Sequence, residues 1–202
     1  MKLGPRYKIC KRLGSSIFEK CQTRAFTLSA ERSMGAKKKR GRAGSDYSRQ
    51  LIEKQKLRLT YGLTEKQFSS YVEKALESHA NPQAVLFGLL EKRLDSLAYR
   101  AGLAPTRRAA RQLASHGHLV VNGTRSTIPS HRLSVGDVIT IREGSKESGL
   151  FTGLEEKLKE YKTPAWIMIR SDTKEVSLAD EPAYSREDTP ADIGAVFEYY
   201  TR

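Results

Sequence analysis

The residues of this sequence best suited to chemistry are cationic side chains that could hold phosphate groups. Arg107, Arg108 and Arg111 fall within one short predicted helix, and residues 107 and 111 share a face because they are four apart. A predicted β-turn then presents Asn122, and Arg125 follows it. An adjacent helix and hairpin could form one basic surface, which would read RNA by its shape, 2′-hydroxyls and phosphates. A solvated helix face is the alternative.

Other residues close to this helix leave two interpretations open. Arg93 is a candidate for RNA contact, and an intramolecular ion pair with Asp95 that positions the helix is the alternative. His116 and His118 flank the turn that follows the helix. Phosphate contact or plain solvation suits these two histidines better than acid–base catalysis.

Positive charge is concentrated at the start of the chain. The sequence has 36 Lys or Arg against 23 Asp or Glu, a net charge of +13. Residues 1–60 hold 17 Lys or Arg and 4 Asp or Glu, so they account for the whole excess. The densest run, Lys37-Lys38-Lys39-Arg40-Gly41-Arg42, repels itself and cannot bury a core, so we expect it to be disordered alone. It indicates an extension that orders when nucleic-acid phosphates neutralise it, and a solvating or targeting tail is the alternative.

Neither catalysis nor metal binding has a supporting motif. The histidines are His79, His116, His118 and His131. No spacing typical of metal ligands joins them, and no glycine-rich phosphate loop or serine-hydrolase motif is present. Two cysteines, Cys10 and Cys21, are too few for a disulfide framework or a four-ligand zinc site. We therefore predict no catalytic residue, no metal and no cofactor.

The sequence also lacks the features of membrane and secretory proteins. No apolar run reaches about 18 residues, the length that a transmembrane helix needs. The basic N-terminus has no apolar segment typical of a secretory signal. With so few cysteines, we expect a protein of the reducing cytoplasm whose charge calls for an acidic partner.

The elements that position the basic residues are predicted to be helical up to residue 116. One helix covers residues 46–59, and Thr64-Glu65-Lys66-Gln67 forms a capping box that starts the next. An apolar stripe then runs from Pro82 to Gly102 as one long helix or as two joined near Lys92. Thr106 is a suitable N-cap for a short helix that ends at His116.

Strands are predicted beyond residue 117, where the apolar period switches to two. Residues 119–121 lead into Asn122-Gly123, a strong hairpin signal because both residues tolerate positive φ. A further strand covers 138–142, a helix covers 154–161, and residues 166–169 and 175–178 form a strand pair. A last helix carries Ile193, Val196, Phe197 and Tyr200 on one face, and we expect it to dock on residues 46–91.

Together these elements predict an α+β fold, in which a helical domain receives an inserted RNA-binding domain of helices and antiparallel sheet. An extended basic arm covers residues 1–44, with at most one short helical turn. The helical domain covers 45–91 and is completed by the C-terminal helix in 186–202. The inserted domain covers 92–185.

Two stretches resemble the family of bacterial small-subunit ribosomal protein four. The first stretch is Ser45-Asp46-Tyr47-Ser48-Arg49-Gln50-Leu51, Glu53-Lys54-Gln55-Lys56-Leu57-Arg58, Tyr61-Gly62-Leu63 and Glu65-Lys66-Gln67-Phe68. The second is Arg93-Leu94-Asp95, Ala104-Pro105-Thr106-Arg107, Ala110-Arg111-Gln112-Leu113, His116-Gly117-His118 and Val121-Asn122-Gly123. The second stretch alone also resembles the small RNA-binding domain named after that family. The first stretch and the basic arm favour the ribosomal family itself.

The resemblance implies a structural role without enzymatic activity. Members of the family bind the 5′ domain of 16S ribosomal RNA directly, nucleate assembly of the small subunit and neighbour small-subunit protein five. By position, it implies a role for Lys38, Lys39, Arg40 and Arg42 near the messenger-RNA entry channel and in translational accuracy. The family commonly has Pro-Gly-Gln-His-Gly before the basic run, whereas this chain has Ser33-Met34-Gly35-Ala36. Some members hold zinc through four N-terminal cysteines, which this chain lacks.

The basic pattern and the resemblance together assign a set of RNA-binding residues. The set is Arg6, Lys8, Lys11, Arg12, Lys37, Lys38, Lys39, Arg40, Arg42, Tyr47, Arg49, Gln50, Lys54, Gln55, Lys56, Arg58, Arg93, Thr106, Arg107, Arg108, Arg111, Gln112, His116, His118, Asn122 and Arg125. The expected partners are 16S ribosomal RNA, neighbouring small-subunit proteins and messenger RNA, with no membrane and no small-molecule substrate.

Other classes of protein carry a similar small RNA-binding domain. A pseudouridine synthase or an RNA methyltransferase would need a separate catalytic domain, and the roughly 50 residues after Gly149 are too few for one. A stand-alone RNA binder of ribosome rescue or stress would give no reason for the helical domain and the arm.

Overall fold

The computed structural model describes residues 3–38, 45–170, 172, 174–186 and 189–202, with the side chains of 33–38, 155, 159 and 160 left out. Within this part of the chain the helices are α1 (Arg6–Leu13), α2 (Arg24–Lys38), α3 (Asp46–Thr60), α4 (Glu65–Leu76), α5 (Pro82–Glu91), α6 (Leu94–Arg100), α7 (Arg107–Ser115), α8 (Leu154–Glu160) and α9 (Ile193–Tyr200). The strands are β1 (Leu119–Val121), β2 (Thr124–Ser126), β3 (Val138–Ile141), β4 (Ile167–Arg170) and β5 (Glu175–Leu178). These elements confirm the predicted α+β class.

The chain divides into two compact units. One unit comprises residues Met1–Gln83 and Ser185–Arg202, and the other comprises Ala84–Tyr184. Helices α1 to α4 and α9 belong to the first unit, and the whole sheet belongs to the second. None of the helices in the described residues has the length and apolar character needed to cross a membrane.

The first unit begins with helices where the sequence predicted an extended arm, so that prediction was wrong for residues 6–38. Helix α1 ends at Gly14, which adopts a left-handed φ of 66°. A short 3-10 turn at Glu19–Cys21 then leads into α2. Buried apolar side chains from all three elements pack together with one from α3: Cys10, Leu13, Phe18, Cys21, Phe26 and Leu59. Their irregular spacing explains why no helical period was visible in the sequence.

Helices α3 and α4 start where the sequence predicted. The Ser45 hydroxyl oxygen accepts a hydrogen bond from the Ser48 N–H at 3.3 Å. The Thr64 hydroxyl oxygen accepts one from the Gln67 N–H at 3.3 Å, and the Gln67 side chain returns to the Thr64 backbone. This reciprocal pair confirms the predicted capping box.

The terminal helix α9 packs against α3 and α4. The ring centroids of Tyr47 and Tyr199 are 5.6 Å apart, and those of Phe68 and Tyr200 are 6.1 Å apart. Ile193 and Val196 are fully buried. The apolar stripe on the last helix is therefore covered by the helices that the sequence predicted as its docking site.

In the second unit, the stripe from Pro82 to Gly102 forms two helices rather than one. The break between them falls at Lys92 and Arg93, whose backbone pairs with a distant segment. The Leu133 N–H donates to the Lys92 carbonyl at 2.8 Å, and the Leu94 N–H donates to the His131 carbonyl at 2.9 Å. These bonds replace helical ones and hold the start of α6 on the 129–133 segment.

The sheet of the second unit is antiparallel throughout, in the order β2-β1-β3-β5-β4. Asn122 and Gly123 form the tight turn between β1 and β2 with φ values of 48° and 80°, which confirms the predicted hairpin. One face of the sheet buries Leu119, Ile139 and Val176 in a core shared with α6, α7 and α8. The predicted pair of strands near the C-terminus is confirmed as β4 and β5.

Candidate nucleic-acid interface

Helix α7 carries the densest group of predicted RNA-binding residues. Thr106 caps it, because its hydroxyl oxygen accepts the Ala109 N–H at 3.0 Å. Ala110, Leu113 and Ala114 face the core. This buried face determines which of the intervening polar side chains can reach solvent, and it separates the arginines into inward and outward groups.

Arg107 is turned towards the protein. Its guanidinium donates to the Ser96 hydroxyl at 3.1 Å and to the fully buried Glu91 carboxylate at 3.1 Å. It also lies 4.7 Å above the Tyr99 ring. Glu91 accepts a second guanidinium, from Arg100 at 2.8 Å. Arg107 therefore fixes α7 against α6 instead of presenting its charge to a partner.

Arg93 is also enclosed, with only 1% of its surface exposed. It donates two hydrogen bonds to Asp95, at 3.0 Å from Nε and at 2.8 Å from Nη2. Arg111 reaches the same carboxylate at 3.5 Å and keeps 38% of its side chain exposed. The ion-pair interpretation of Arg93 is confirmed, and the structure leaves Arg93 without a surface for direct contact.

The outward face of α7 presents Arg108 and Gln112, which are both exposed. They are four residues apart and therefore lie on one side of the helix. Arg111 lies at the border of this face, and His116 is exposed just beyond the end of the helix. These four side chains form a continuous polar and basic strip along α7, which we call the α7 strip.

Arg125 joins the hairpin to the end of α7. Its guanidinium donates to the backbone carbonyls of Gly117 and His116, each at 3.2 Å. These carbonyls have no partner within the helix, and a cation suits the negative end of the helix dipole. Gly117 has a φ of 70°, and a β-carbon there would lie 2.3 Å from Arg125 Nε. Glycine at this position therefore lets the arginine approach the helix end.

His118 lies beside this cap. Its Nδ1 atom is 3.0 Å from the Ser145 hydroxyl oxygen, and its ring is 6.0 Å from that of His116. Desolvation of the ring, together with the positive charges of His116, Arg142 and Arg125, lowers the pKa of His118 below its ordinary value. His118 therefore lies in a positive environment that disfavours its own protonation.

The side chain of Asn122 forms hydrogen bonds within the protein. Its side-chain amide donates to Asp137 at 2.8 Å, and its side-chain oxygen accepts the Val138 N–H at 2.9 Å. The Ser134 N–H and the Asn122 amide lower the pKa of Asp137, although partial burial opposes the shift. Asn122 therefore fixes the hairpin to the start of β3, and the structure gives it a positioning role.

In the first unit, the predicted residues of α1 are divided in the same way. Lys8 and Arg12 are exposed. Lys11 donates to the Ser29 hydroxyl at 2.8 Å, and the Arg6 guanidinium lies 5.8 Å from the centre of the Phe18 ring. Two of the four cations are therefore free to face a partner, and two hold the N-terminal helices together.

Most predicted residues of α3 make internal contacts. Lys54 is 5% exposed and donates to Glu65 at 2.5 Å, 4.3 Å above the Tyr199 ring. Gln50, also buried, donates to Glu198 at 2.9 Å.

Two further predicted residues of α3 make contacts within the helix, and Arg58 also reaches Glu65 of α4 at 3.4 Å. Lys56 pairs with Glu53 at 2.7 Å, and Arg58 donates to Gln55 at 2.8 Å. Tyr47 and Arg49 are the members of this group that stay exposed. The sequence could not show which of these polar residues are exposed, because residue type alone does not distinguish a solvent-facing side chain from one that bonds to a neighbouring helix.

Part of the predicted set cannot be placed. Lys39, Arg40 and Arg42 lie outside the described residues. Lys37 and Lys38 belong to the end of α2, and their side chains are not described. The expected role of the basic run therefore stays a prediction.

Arg142 is a basic residue that the sequence reading missed. It follows β3 directly, and its N–H donates to the His118 carbonyl at 2.9 Å. Alternation along β3 is the signal that could have found it, since Ile139 and Ile141 point into the core and Arg142 therefore points away.

The described residues hold no cluster of three or more His, Cys, Asp or Glu side chains that could bind a metal ion.

The chain matches two known families in adjacent segments. Residues 92–139 match the S4 domain, and residues 2–91 match the ribosomal protein S4/S9 N-terminal domain. The fold and the α7 strip thus belong to the class of S4-domain proteins.

Full-length relatives identify the particular family. The small ribosomal subunit protein uS4 of Lactiplantibacillus plantarum is 43% identical over 98% of this chain and 97% of its own length. That of Sulfurihydrogenibium sp. is 39% identical over 98% of both chains, and that of Mycobacterium avium is 40% identical over 78% and 79%. The chain belongs to the uS4 family of ribosomal proteins. Since this is a family of structural components, it confirms the prediction that the chain is not an enzyme.

Proposed function

We propose that this chain is a structural constituent of the small ribosomal subunit that binds 16S ribosomal RNA directly. Its membership of the uS4 family supports the place in the subunit. The observation that carries RNA binding is the α7 strip, where Arg108 and Gln112 face solvent beside the border residue Arg111. Such a surface suits a duplex or junction that is recognised through its backbone and shape.

The proposed contacts follow from exposure and from the internal hydrogen bonds of each side chain, which exclude the exposed Asn122 and leave in the partly exposed Arg111 and His118. In the second unit they come from Arg108, Arg111, Gln112, His116, His118 and Arg125. In the first unit they come from Lys8, Arg12, Tyr47 and Arg49. The other described members of the predicted set, which are held in internal contacts, position these residues instead of touching RNA.

The finer role proposed for the chain follows the family resemblance. It nucleates assembly of the 5′ domain, lies beside small-subunit protein five, and contributes to the messenger-RNA entry region and translational accuracy. The basic run of residues 37–42 is the segment proposed for the entry region, because it concentrates charge without apolar residues.

Binding of the full-length protein to the isolated 5′ domain of 16S ribosomal RNA tests this function. The affinity should fall linearly on a log–log plot as salt is raised, because each neutralised phosphate releases counterions. An RNA duplex of unrelated sequence and equal length is the comparison. Equal affinity for the two RNAs would contradict the proposal.

A further inference from the structure

The register of the sheet brings three basic residues to one face. Leu119 pairs with Ile141, and both point into the core. The next residues outward, His118 and Arg142, face each other across the same two strands and point to the other side. Arg125 pairs with Val120, two residues after His118, and so shares that side. His116 adds a fourth basic group, with its ring 6.0 Å from that of His118.

Among the described residues, no acidic side chain forms an ion pair with any of these four groups. The charged side chains that act on His118 are those of His116, Arg142 and Arg125. Glu143, which follows Arg142 directly in the sequence, forms an ion pair with Lys146 at 2.6 Å. Arg125 donates to backbone carbonyls at the end of α7, which offset its charge only in part because they carry no full negative charge.

Arg142 supplies the second, independent observation. Its Nε atom is buried and has no hydrogen-bond partner among the described residues. Within the same part of the chain, the Arg142 guanidinium forms no ion pair and donates no hydrogen bond to another side chain. A partly buried guanidinium without an acceptor is costly, because a guanidinium carries only donors and keeps its charge. An anion would satisfy both the free donor and the charge of this side chain.

We infer that Arg142, His118, Arg125 and His116 form a binding site for one phosphate group of the RNA backbone. This inference rests on the proposed function and assigns one phosphate contact to a defined place. The planar fork of an arginine matches two oxygens of a phosphate, and an imidazole can donate a third hydrogen bond. Arg125 covers the carbonyls at the end of α7, so the negative end of the helix is shielded from the ligand.

Occupation of the site is linked to protonation of His118. The phosphate charge favours imidazolium, whereas desolvation of the ring and the neighbouring cations disfavour it in the free protein. Binding therefore takes up a proton, and the affinity rises as the pH falls through the range between the pKa of His118 in the complex and its lower pKa in the free protein. A surface of arginines alone would show no such dependence near neutral pH.

Substitution of Arg142 tests the site in the full-length protein. Arg142→Gln should lower the affinity for the 5′-domain RNA about tenfold and flatten the log–log salt slope by about one unit. Arg142→Lys should keep the slope, since it keeps the charge. The control is Arg170→Gln on the far edge strand β4, where Arg170 is 72% exposed and pairs with Glu175. Thermal unfolding verifies that each variant is folded.

Histidine resonances separate the ligand sources. The pKa of His118 is measured by NMR with inorganic phosphate and with chloride at equal ionic strength, and again with the RNA. Phosphate should raise this pKa in the wild type and leave it unchanged in Arg142→Gln. A response to inorganic phosphate but not to RNA would overturn the RNA backbone as the ligand.

The two failures can be told apart. Wild-type RNA binding with the same slope in Arg142→Gln would refute the phosphate site while the proposed function stands. Absence of specific RNA binding by the wild type would refute the proposed function, and the site would then also fail as an RNA contact.

Discussion

Arg93 and Asp95 form a buried ion pair through two hydrogen bonds, although only one residue separates them in the sequence. The Arg93 side chain is 1% exposed and the Asp95 side chain is 7% exposed. The pair lies at the start of α6, and the Asp95 N–H donates to the Pro129 carbonyl at 3.0 Å. It thus joins the α5–α6 break, the 129–133 segment and, through Arg111, helix α7.

Asp95→Ala should therefore destabilise the protein strongly. Loss of the carboxylate leaves a buried guanidinium without its main counter-charge, which typically costs about 3–5 kcal/mol. The free energy of unfolding in urea measures the effect. The control Glu175→Ala removes the surface partner of Arg170 and should cost about 0–1 kcal/mol. Equal losses in the two variants would show that the buried pair has no special weight.

Arg107 and Arg108 are adjacent, but alanine substitution should lower stability at Arg107 and weaken RNA binding at Arg108. Arg107→Ala removes the contacts to Glu91, Ser96 and Tyr99 and leaves a buried carboxylate with one guanidinium fewer. It should lower the unfolding free energy by about 1–3 kcal/mol. Arg108→Ala should leave stability within about 0.5 kcal/mol and flatten the salt slope of RNA binding by about one unit. Urea unfolding and RNA titration of both variants provide the measurements. A loss of stability in Arg108→Ala would contradict the assignment of Arg108 as an RNA contact.

These two arginines show that the sequence predicts the face of a helix but not the partners of the side chains on it. Helical spacing correctly placed residues 107 and 111 on one face. It could not show that this face meets Glu91, which comes from a helix 16 residues earlier. Long-range partners of polar residues depend on how helices pack, and a single sequence does not contain that information.

Features determined by neighbouring residues were predicted well. The Thr64–Gln67 capping box, the Thr106 cap and the Asn122-Gly123 turn each depend on a few consecutive residues, and all three are present. The N-terminal helices were missed because their small apolar cluster is completed by Leu59, which comes from α3. The high charge of this segment predicted an extended arm, whereas its helices are stabilised by a contact with a residue distant in the sequence.

Gly117→Ala should affect both stability and RNA binding. A left-handed φ costs an alanine about 1 kcal/mol, and the new β-carbon would displace the Arg125 guanidinium from its two carbonyls. Gly153→Ala is the matched control, since Gly153 also has a positive φ, 67°, but no atom within 4 Å of the added carbon. Thermal melts and RNA titrations should show a larger loss for Gly117→Ala in both. Identical behaviour of the two variants would count against a role for the Arg125 cap.

Acid should loosen the docking of α9 through Glu65. Burial raises the pKa of this carboxyl, but hydrogen bonds from Lys54 and Tyr200 outweigh it and lower the pKa below its ordinary value. A lowered folded-state pKa contributes stability above the unfolded value near 4.3, and that stability is lost as the pH falls through the folded-state pKa.

Wild type and Glu65→Gln should therefore differ less in unfolding free energy at pH 3 than at pH 6. Glu73→Gln, on an exposed position of the same helix α4, is the control. Urea titrations at a series of pH values provide the measurement. A difference between wild type and Glu65→Gln that does not change with pH would exclude the carboxylate as the acid-sensitive group.

The central claim is that the α7 strip binds the 5′ domain of 16S ribosomal RNA directly. Hydroxyl-radical footprinting of isolated 16S ribosomal RNA with the full-length protein tests it most directly, using the wild type and the double variant Arg108→Ala with Gln112→Ala. We predict protection within the 5′ domain by the wild type and weaker protection by the double variant at equal unfolding free energy. Absence of protection in that domain, or protection that the double variant leaves unchanged, would contradict the claim.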